Sequence, residues 1–223
     1  MDKKPTWSFS QFKSFEQCPK QFYHTTVLKQ YPYVESASQR RGKALHAAFE
    51  HHIDRGMDLP PQFETFQPIM DSVAAMPGKK LVEHKFGLTE DFEITGFFAK
   101  NVWFRGVVDL AAVGRSKAKV LDYKTGTNTR YADVRQIELM ALGLFAEFPN
   151  LERVSGGLVY VDVGEFISKS VSADDVPKLK RKWLAEYDMI LAAHESDTWN
   201  PKPSGLCKRH CQVVECPHNG ANN

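Results

Sequence analysis

Two periods of hydrophobic and polar positions follow one another along this chain, and together they predict its helices and strands. In the first part, apolar residues recur every three or four positions, which is typical of amphipathic helices. One helix is predicted after Ser8 or Ser10, and a second over residues 38–55, ended by Gly56. Residues 59–79 contain four prolines, so we expect a short helix bounded by loops there.

From residue 80 onwards the period changes to two, which predicts β-strands. A helix interrupts them at 132–148, where the apolar residues form one continuous face and Pro149 follows. Ser172 and Asp175 have the spacing of a helix-capping pair, and they open a last long helix. The predicted strands are Lys80–Leu88, Asn101–Val113, Ala118–Lys124, Val154–Val163 and Glu165–Val171.

This order of elements indicates an α/β protein with a mixed central β-sheet flanked by helices. No internal repeat or low-complexity linker divides the chain, so residues 1–223 are predicted to form a single domain. The tail at 199–223 is rich in proline, glycine and cysteine, and it is too irregular to fold by apolar burial alone.

Composition narrows the class of protein without deciding its partner. Of the 223 residues, 42% are hydrophobic and 25% are charged, which indicates a folded protein rather than a disordered one. A net charge of +2 neither indicates nor excludes a nucleic-acid partner, since local patches matter more than the sum. The apolar stretches are far shorter than the roughly 20 residues that span a bilayer, and no apolar signal region follows the start. We therefore expect an intracellular protein with no membrane partner.

Three residues on two neighbouring strands form the candidate site. Asp122 and Lys124 lie two positions apart and so point to the same side of a strand. A turn at 114–117 would bring Asp109 of the preceding strand close to Asp122. Two carboxylates this close repel one another, and a divalent cation is the usual remedy. The alternative is a surface ion pair between Asp122 and Lys124, with Asp109 an unrelated turn residue.

Five neighbouring motifs change this balance. They are a Ser- and Phe-rich stretch ending in Cys-Pro, then Gly-x-x-x-His, Gly-x-x-Asp, Asp-Tyr-Lys-Thr-Gly and a helical Gln. In this sequence the motifs are Ser8–Pro19, Gly42–His46, Gly106–Asp109, Asp122–Gly126 and Gln136. Their order resembles that of the PD-(D/E)XK nucleases and, within them, the RecB-type exonuclease branch. The resemblance implies a restriction-endonuclease-like core.

The same resemblance implies a role for each matching residue. Lys124 would position the attacking water, and Gln136 would hold either Lys124 or the scissile phosphate. Glu83 would reach a second metal ion through water. The implied ligands of Mg²⁺ or Mn²⁺ are His46, Asp109, Asp122 and the backbone carbonyl of Tyr123.

The implied substrate is DNA, for which Arg41, Lys43 and Gln136 are the candidate contacts. No base-reading motif is visible, so cleavage should tolerate any sequence, as in an exonuclease of recombination, repair or phage DNA processing. A recombination partner protein or a homo-oligomer would fit such a role. If the protein is encoded by a phage, its location would be the host cytoplasm.

Two other functions compete with this interpretation. The first is a non-catalytic DNA-binding or adaptor protein whose terminal cysteines form a structural zinc knuckle. The second is a metal-dependent phosphatase or nucleotide hydrolase, although the chain has no phosphate-cradling glycine-rich loop.

The four cysteines of the chain are Cys18, Cys207, Cys211 and Cys216. Some RecB-type nucleases resemble this layout, in which one N-terminal and three C-terminal cysteines bind a 4Fe–4S cluster. The resemblance implies that the tail at 199–223 packs back on the N-terminal helix. The gaps of three and four residues between the last cysteines depart from the usual two and five. Zinc held by the three C-terminal cysteines with His210 or His218 is one alternative, and free thiols are another.

Overall fold

The computed structural model describes residues 4–222 and contains a six-stranded sheet in the order β2-β1-β3-β4-β5-β6. Strands β4 and β5 pair in parallel, and every other neighbouring pair in the sheet is antiparallel. The predicted mixed sheet flanked by helices is therefore confirmed. The strands are β1 Lys79–Leu88, β2 Ile94–Thr95, β3 Phe104–Val113, β4 Lys117–Lys124, β5 Arg153–Tyr160 and β6 Glu165–Ser172.

Capping chemistry explains where two of the helices begin and where one of them ends. Ser36 and Gln39 form a reciprocal capping box at the start of the third helix, and Gly56 ends it with a left-handed φ of 66°. Ser172 and Asp175 form the predicted box before the last helix. The α-helices are α1 Phe9–Gln17, α2 Pro19–Phe22, α3 Ala37–Arg55, α4 Gln67–Ala74, α5 Arg135–Glu147 and α6 Val176–Glu195.

Several boundaries differ from the predicted ones for local reasons. Strand β3 begins at Phe104 rather than residue 101, because Val102 is held in a turn by the carbonyl of Ala99. Helix α5 begins at Arg135 rather than 132, because a 3₁₀ turn at Thr129–Tyr131 precedes it. Periodicity did not predict the short helix α2, the π-helical turn that follows it, or the two-residue strand β2.

The part of the chain that the structure describes divides into two compact units. One is Glu35–Lys180, which contains the whole sheet, and the other joins the residues before Glu35 to those from Arg181 onwards. The predicted single domain over 1–223 stays a prediction. Among residues 4–222, no helix is long and apolar enough to cross a membrane.

In the unit 35–180, one core cluster joins α3 to the sheet. Leu45 and Phe49 of α3 are almost completely buried, and they share this cluster with Leu110 of β3 and Tyr123 of β4. The ring of Phe49 lies 4.9 Å from that of Tyr123 in an edge-to-face arrangement. This packing positions α3 beside the ends of β3 and β4.

In the other unit, the core is aromatic. The ring of Trp7 lies 5.8 Å from Trp183 and 6.0 Å from Tyr187, and both partners belong to α6. The Tyr187 hydroxyl donates a hydrogen bond to the carbonyl of Pro5. Trp199 stacks on Tyr23 at 4.9 Å, which brings the start of the C-terminal tail onto the N-terminal helical segment.

The ring of Phe86 occupies space that two glycines leave free. A Cβ atom on Gly106 of β3 would lie 2.2 Å from this ring, and one on Gly143 of α5 would lie 2.3 Å from it. Because Phe86 is only 4% exposed, its ring cannot move aside. The glycine of the Gly-x-x-Asp motif is therefore needed for packing.

We expect Gly106→Ala to lower the free energy of unfolding by about 1–3 kcal/mol, because it overpacks the space that holds Phe86. Urea unfolding followed by circular dichroism measures this change. Gly96→Ala is the matched control, since a Cβ there meets its nearest neighbour at an ordinary 3.6 Å. Equal stability of the two variants would contradict the packing assignment.

Candidate active site

The candidate site lies where β3 and β4 part. Their pairing ends at Leu110 and Leu121, one residue short of Asp109 and Asp122. At this point the Tyr123 N–H donates a hydrogen bond to Oδ2 of Asp109 at 2.8 Å. The Asp109 carboxylate thus binds a backbone group of the neighbouring strand at the point where the strands separate.

His46 joins this group from α3. Its Nε2 lies 3.0 Å from the carbonyl oxygen of Tyr123, and its Nδ1 lies 3.5 Å from Oδ2 of Asp109. Gly42, one turn earlier, lets α3 lie close to Thr125, the residue that follows β4. A Cβ on Gly42 would lie 3.3 Å from Oγ1 of Thr125. The Gly-x-x-x-His spacing therefore places the imidazole against β4.

Glu83 completes the group from β1, in an unusual backbone conformation. Its φ is 45°, a left-handed value that is uncommon for residues other than glycine. In the pairing of β1 with β3, Val82 lies opposite Leu110 and His84 lies opposite Val108. The pair between them, Glu83 with Asp109, is missing from the ladder. The carboxylate of Glu83 lies 3.6 Å from Nδ1 of His46.

Three of these side chains fit a divalent cation. Ligand atoms of His46, Glu83 and Asp109 all lie within 4.8 Å of one another, and all three side chains are partly exposed. Carboxylate and carbonyl oxygens are the ligands that Mg²⁺ and Mn²⁺ favour, and the carbonyl of Tyr123 lies beside His46. Within residues 4–222, Asp122 is not part of this close group.

The pKa values of Asp109 and His46 are both raised in this group. Burial raises the pKa of the Asp109 carboxyl to about 7, and the nearby charge of Asp122 adds to this effect. Burial lowers the pKa of His46, but its contacts with Glu83 and Asp109 outweigh burial and raise it to about 9. At neutral pH the His46 imidazolium thus supplies positive charge among the acids. A cation that binds here displaces protons, because metal ligands are deprotonated.

Asp122 belongs to a second group with Lys124 and Gln136. The side chain of Asp122 is 3% exposed, and its Oδ2 lies 2.5 Å from Nζ of Lys124. The Gln136 amide donates from Nε2 to Oδ1 of Asp122 at 2.6 Å and accepts from Nζ of Lys124 at 3.2 Å. The start of α5 therefore fixes both the carboxylate and the ammonium. The two groups meet at Tyr123, the residue between Asp122 and Lys124.

A sequence profile of the PD-(D/E)XK nuclease superfamily matches residues 6–80 and 64–216. The chain belongs to the PD-(D/E)XK nuclease superfamily. Nucleases of this superfamily use divalent metal ions, for which the group of His46, Glu83 and Asp109 offers ligands.

One solved structure agrees in fold with this member of the PD-(D/E)XK nuclease superfamily. A candidate exonuclease from Eubacterium rectale is 14% identical, with a TM-score of 0.52 over 96% of this chain and 91% of that chain. The protein SSO0001 is 15% identical, with a TM-score of 0.46 over 97% of this chain and 88% of that chain. Comparison with curated protein sequences finds no match.

The two candidate DNA contacts on α3 are both paired with acids in this PD-(D/E)XK protein. Arg41 forms a two-pronged ion pair with Asp162, with distances of 2.7 and 2.8 Å. Nζ of Lys43 lies 2.6 Å from Glu35. The sequence did not indicate Asp162 as a candidate. It lies just after β5, the strand that pairs in parallel with β4. The N–H of the preceding residue, Val161, donates a hydrogen bond to the carbonyl of Lys124, which brings this segment to the end of β4.

The four cysteines lie together in the unit that excludes the sheet. They line one small cavity, with His218 also on its wall. Burial raises the pKa of the Cys211 thiol, and the other three cysteines raise it further. Backbone N–H groups of Lys202 and Ser204 donate to the sulfurs of Cys18 and Cys207 at 3.4 and 3.3 Å.

We expect Glu83→Gly to be about 1 kcal/mol more stable than Glu83→Gln, because glycine adopts the left-handed φ without steric cost. Both variants remove the same charge, so the comparison isolates the backbone. Urea unfolding in the presence of EDTA measures the difference. The matched pair Glu93→Gly and Glu93→Gln should show no such gain, since Glu93 is not among the left-handed residues. If Glu83→Gly gains nothing over Glu83→Gln, the left-handed conformation of Glu83 is wrong.

Proposed function

We propose that this protein is a divalent-metal-dependent deoxyribonuclease, a sequence-tolerant exonuclease that acts in recombination, repair or phage DNA processing. One observation carries the proposal. At the fork between β3 and β4, three side chains with the spacing of cation ligands adjoin, through Tyr123, a lysine that a buried carboxylate and an amide hold in position. Membership of the nuclease superfamily supports the reaction class.

Each side chain at the fork has a separable task in this proposal. His46, Glu83, Asp109 and the Tyr123 carbonyl would hold the cation, and Asp122 would add a ligand from the adjoining group while it keeps its contacts with Lys124 and Gln136. When bound, a divalent cation places positive charge against the phosphate oxygens and lowers the pKa of a nearby water. Deprotonated His46 and Asp109 are needed to hold it.

Lys124 supplies fixed positive charge to the reaction. Its ammonium is held by Asp122 and Gln136, so it can orient a water molecule and stabilise charge that develops on the phosphate without first reorganising. The side-chain N–H of Gln136 donates a hydrogen bond to Asp122, and its side-chain oxygen accepts one from Lys124. Its role is therefore to position these two groups.

The absence of a base-reading motif from the sequence supports substrate binding through the DNA backbone. Arg41 presents a planar guanidinium one turn before His46, and its side chain is 44% exposed. A phosphate can replace Asp162 on this guanidinium, since both anions accept two parallel hydrogen bonds. Contacts with phosphates carry no base information, which fits sequence-tolerant cleavage.

We expect the protein to degrade linear DNA in the presence of Mg²⁺ or Mn²⁺, and we expect Lys124→Ala to slow this by at least about 100-fold. Asp109→Ala and Asp122→Ala should abolish activity while the protein stays folded. Lys119→Ala is the matched control, because Lys119 is an exposed lysine on the same strand. Digestion of end-labelled linear DNA, followed over time beside a closed circle, measures the rate and tests for dependence on ends.

The same assay separates the competing functions. A non-catalytic adaptor would bind DNA but leave it intact with every metal ion. Near-normal rates in Asp122→Ala, with an unchanged melting profile, would contradict the metal-site assignment. Rapid cleavage of the closed circle would contradict the exonuclease and leave a metal-dependent endonuclease.

We also propose that Cys18, Cys207, Cys211 and Cys216 bind a 4Fe–4S cluster, as in the RecB-type branch. A tetrahedral zinc ion with Zn–S bonds of about 2.3 Å holds its sulfurs less than about 4 Å apart. Among the described residues, no three of the cysteine and histidine ligand atoms here lie within 4.8 Å of one another. Four thiols around one cavity at this wider spacing support a cluster rather than a single ion.

Protein purified without oxygen should contain iron and acid-labile sulfide in equal amounts and absorb visible light. Cys18→Ser should lose both, because Cys18 completes the ligand set. His218→Ala is the matched control, since His218 lines the same cavity but is a ligand only in the zinc alternative. Zinc in place of iron, lost in His218→Ala, would contradict the cluster. Protein without either metal would indicate free thiols.

A further inference from the structure

Strands β1 and β3 extend beyond the fork that forms the candidate site. Strand β3 pairs with β4 from Leu110 to Val113, whereas it pairs with β1 from Phe104 onwards. Along this extension Gly106 and Val108 are buried, and the alternate positions 105, 107 and 109 are partly exposed. Arg105 therefore lies on the same face of β3 as Asp109, about 13 Å along the strand.

Arg105 supports two aromatic side chains. Its guanidinium carbon lies 5.4 Å from the ring centre of Phe98 and 5.6 Å from that of Phe97. Its Nε donates a hydrogen bond to the carbonyl of Phe97 at 2.7 Å, which fixes the plane of the guanidinium. Both contacts have the geometry of a cation–π interaction.

Phe98 remains exposed although its loop is ordered by hydrogen bonds. Its exposed fraction is 82%, the largest of the exposed large apolar residues. The Thr95 hydroxyl donates to Oδ1 of Asn101 at 2.9 Å, and the Ala99 N–H donates to the carbonyl of Gly96 at 2.9 Å. The loop thus presents one face of the Phe98 ring to solvent while Arg105 lies beneath it.

We propose that Phe98 and Arg105 form a stacking site for an unpaired nucleobase of the DNA strand that enters the active site. This inference rests on the proposed nuclease function and adds a substrate class, namely single strands and duplexes with a frayed or single-stranded end. Every base has a π-face, so stacking on Phe98 holds a strand without reading its sequence. The site lies a few nucleotides from the scissile phosphate.

Charge favours a nucleic acid over an apolar protein partner here. Lys85 is exposed and lies opposite Val107, on the face shared by Arg105 and Asp109. Lys100, two residues after Phe98, is also exposed. An exposed ring on a strand extension that also carries basic residues matches single-strand binding sites, in which basic side chains follow the backbone and aromatic rings accept bases.

The test measures binding of a fluorescent single-stranded oligonucleotide in EDTA, where cleavage is blocked. We expect Phe98→Leu to weaken binding roughly tenfold and Phe98→Trp to preserve it, because leucine keeps the apolar character without the π-face. Phe166→Leu is the matched control, since Phe166 is an exposed ring on the edge strand β6. Blunt duplex binding should change little in Phe98→Leu.

Oligonucleotides with one abasic position locate the stacked base. For the wild type, affinity should fall at one position near the end, and Phe98→Leu should show no such position. Unchanged single-strand affinity in Phe98→Leu would overturn the inference while leaving the nuclease proposal intact. A change in oligomeric state of Phe98→Leu without a change in DNA binding would overturn it in favour of a contact between copies. A wild type that neither binds nor cleaves DNA would overturn both.

Discussion

The hydrogen bond from the Tyr123 N–H to the Asp109 carboxylate is the contact on which the candidate site depends. Strands β3 and β4 separate there, while β4 continues beside β5 and β3 continues beside β1. A backbone N–H buried at the separation needs an acceptor, and the carboxylate provides one. The same peptide segment presents the Tyr123 carbonyl to His46, so one residue connects the two groups of the site.

Electrostatics explains why the remaining residues are arranged around this fork. Asp109, Asp122 and Glu83 bring three carboxylates together in a partly buried place, which is unfavourable unless positive charge accompanies them. Lys124 and protonated His46 provide that charge in the isolated chain. The left-handed backbone of Glu83 adds local strain. Strain and repulsion of this kind are typical of sites built to bind a cation rather than to stabilise the fold.

The motif residues divide into those that carry chemistry and those that allow close packing. Gly42 lets α3 approach Thr125, and Gly106 leaves room for the ring of Phe86. Neither glycine contributes a functional group. Both nevertheless set the distance between a helix or ring and the strands that hold the acids, which explains why glycine precedes the histidine and aspartate in these motifs.

The sequence predicted the strands other than β2, the α-helices other than α2, the mixed sheet, and the candidate residues around Asp109 and Asp122, because period, turns and motif order can be read along the chain. It did not determine that Asp122 pairs with Lys124 and Gln136 while His46, Glu83 and Asp109 form a separate group, since these contacts depend on where strands part. The pairing of Arg41 with Asp162 joins residues 121 positions apart. The left-handed φ of Glu83 and the Phe98–Arg105 contact occur within short segments that no hydrophobic period or motif marks. These features follow from the folded chain, because no local pattern records which side chains meet across a sheet.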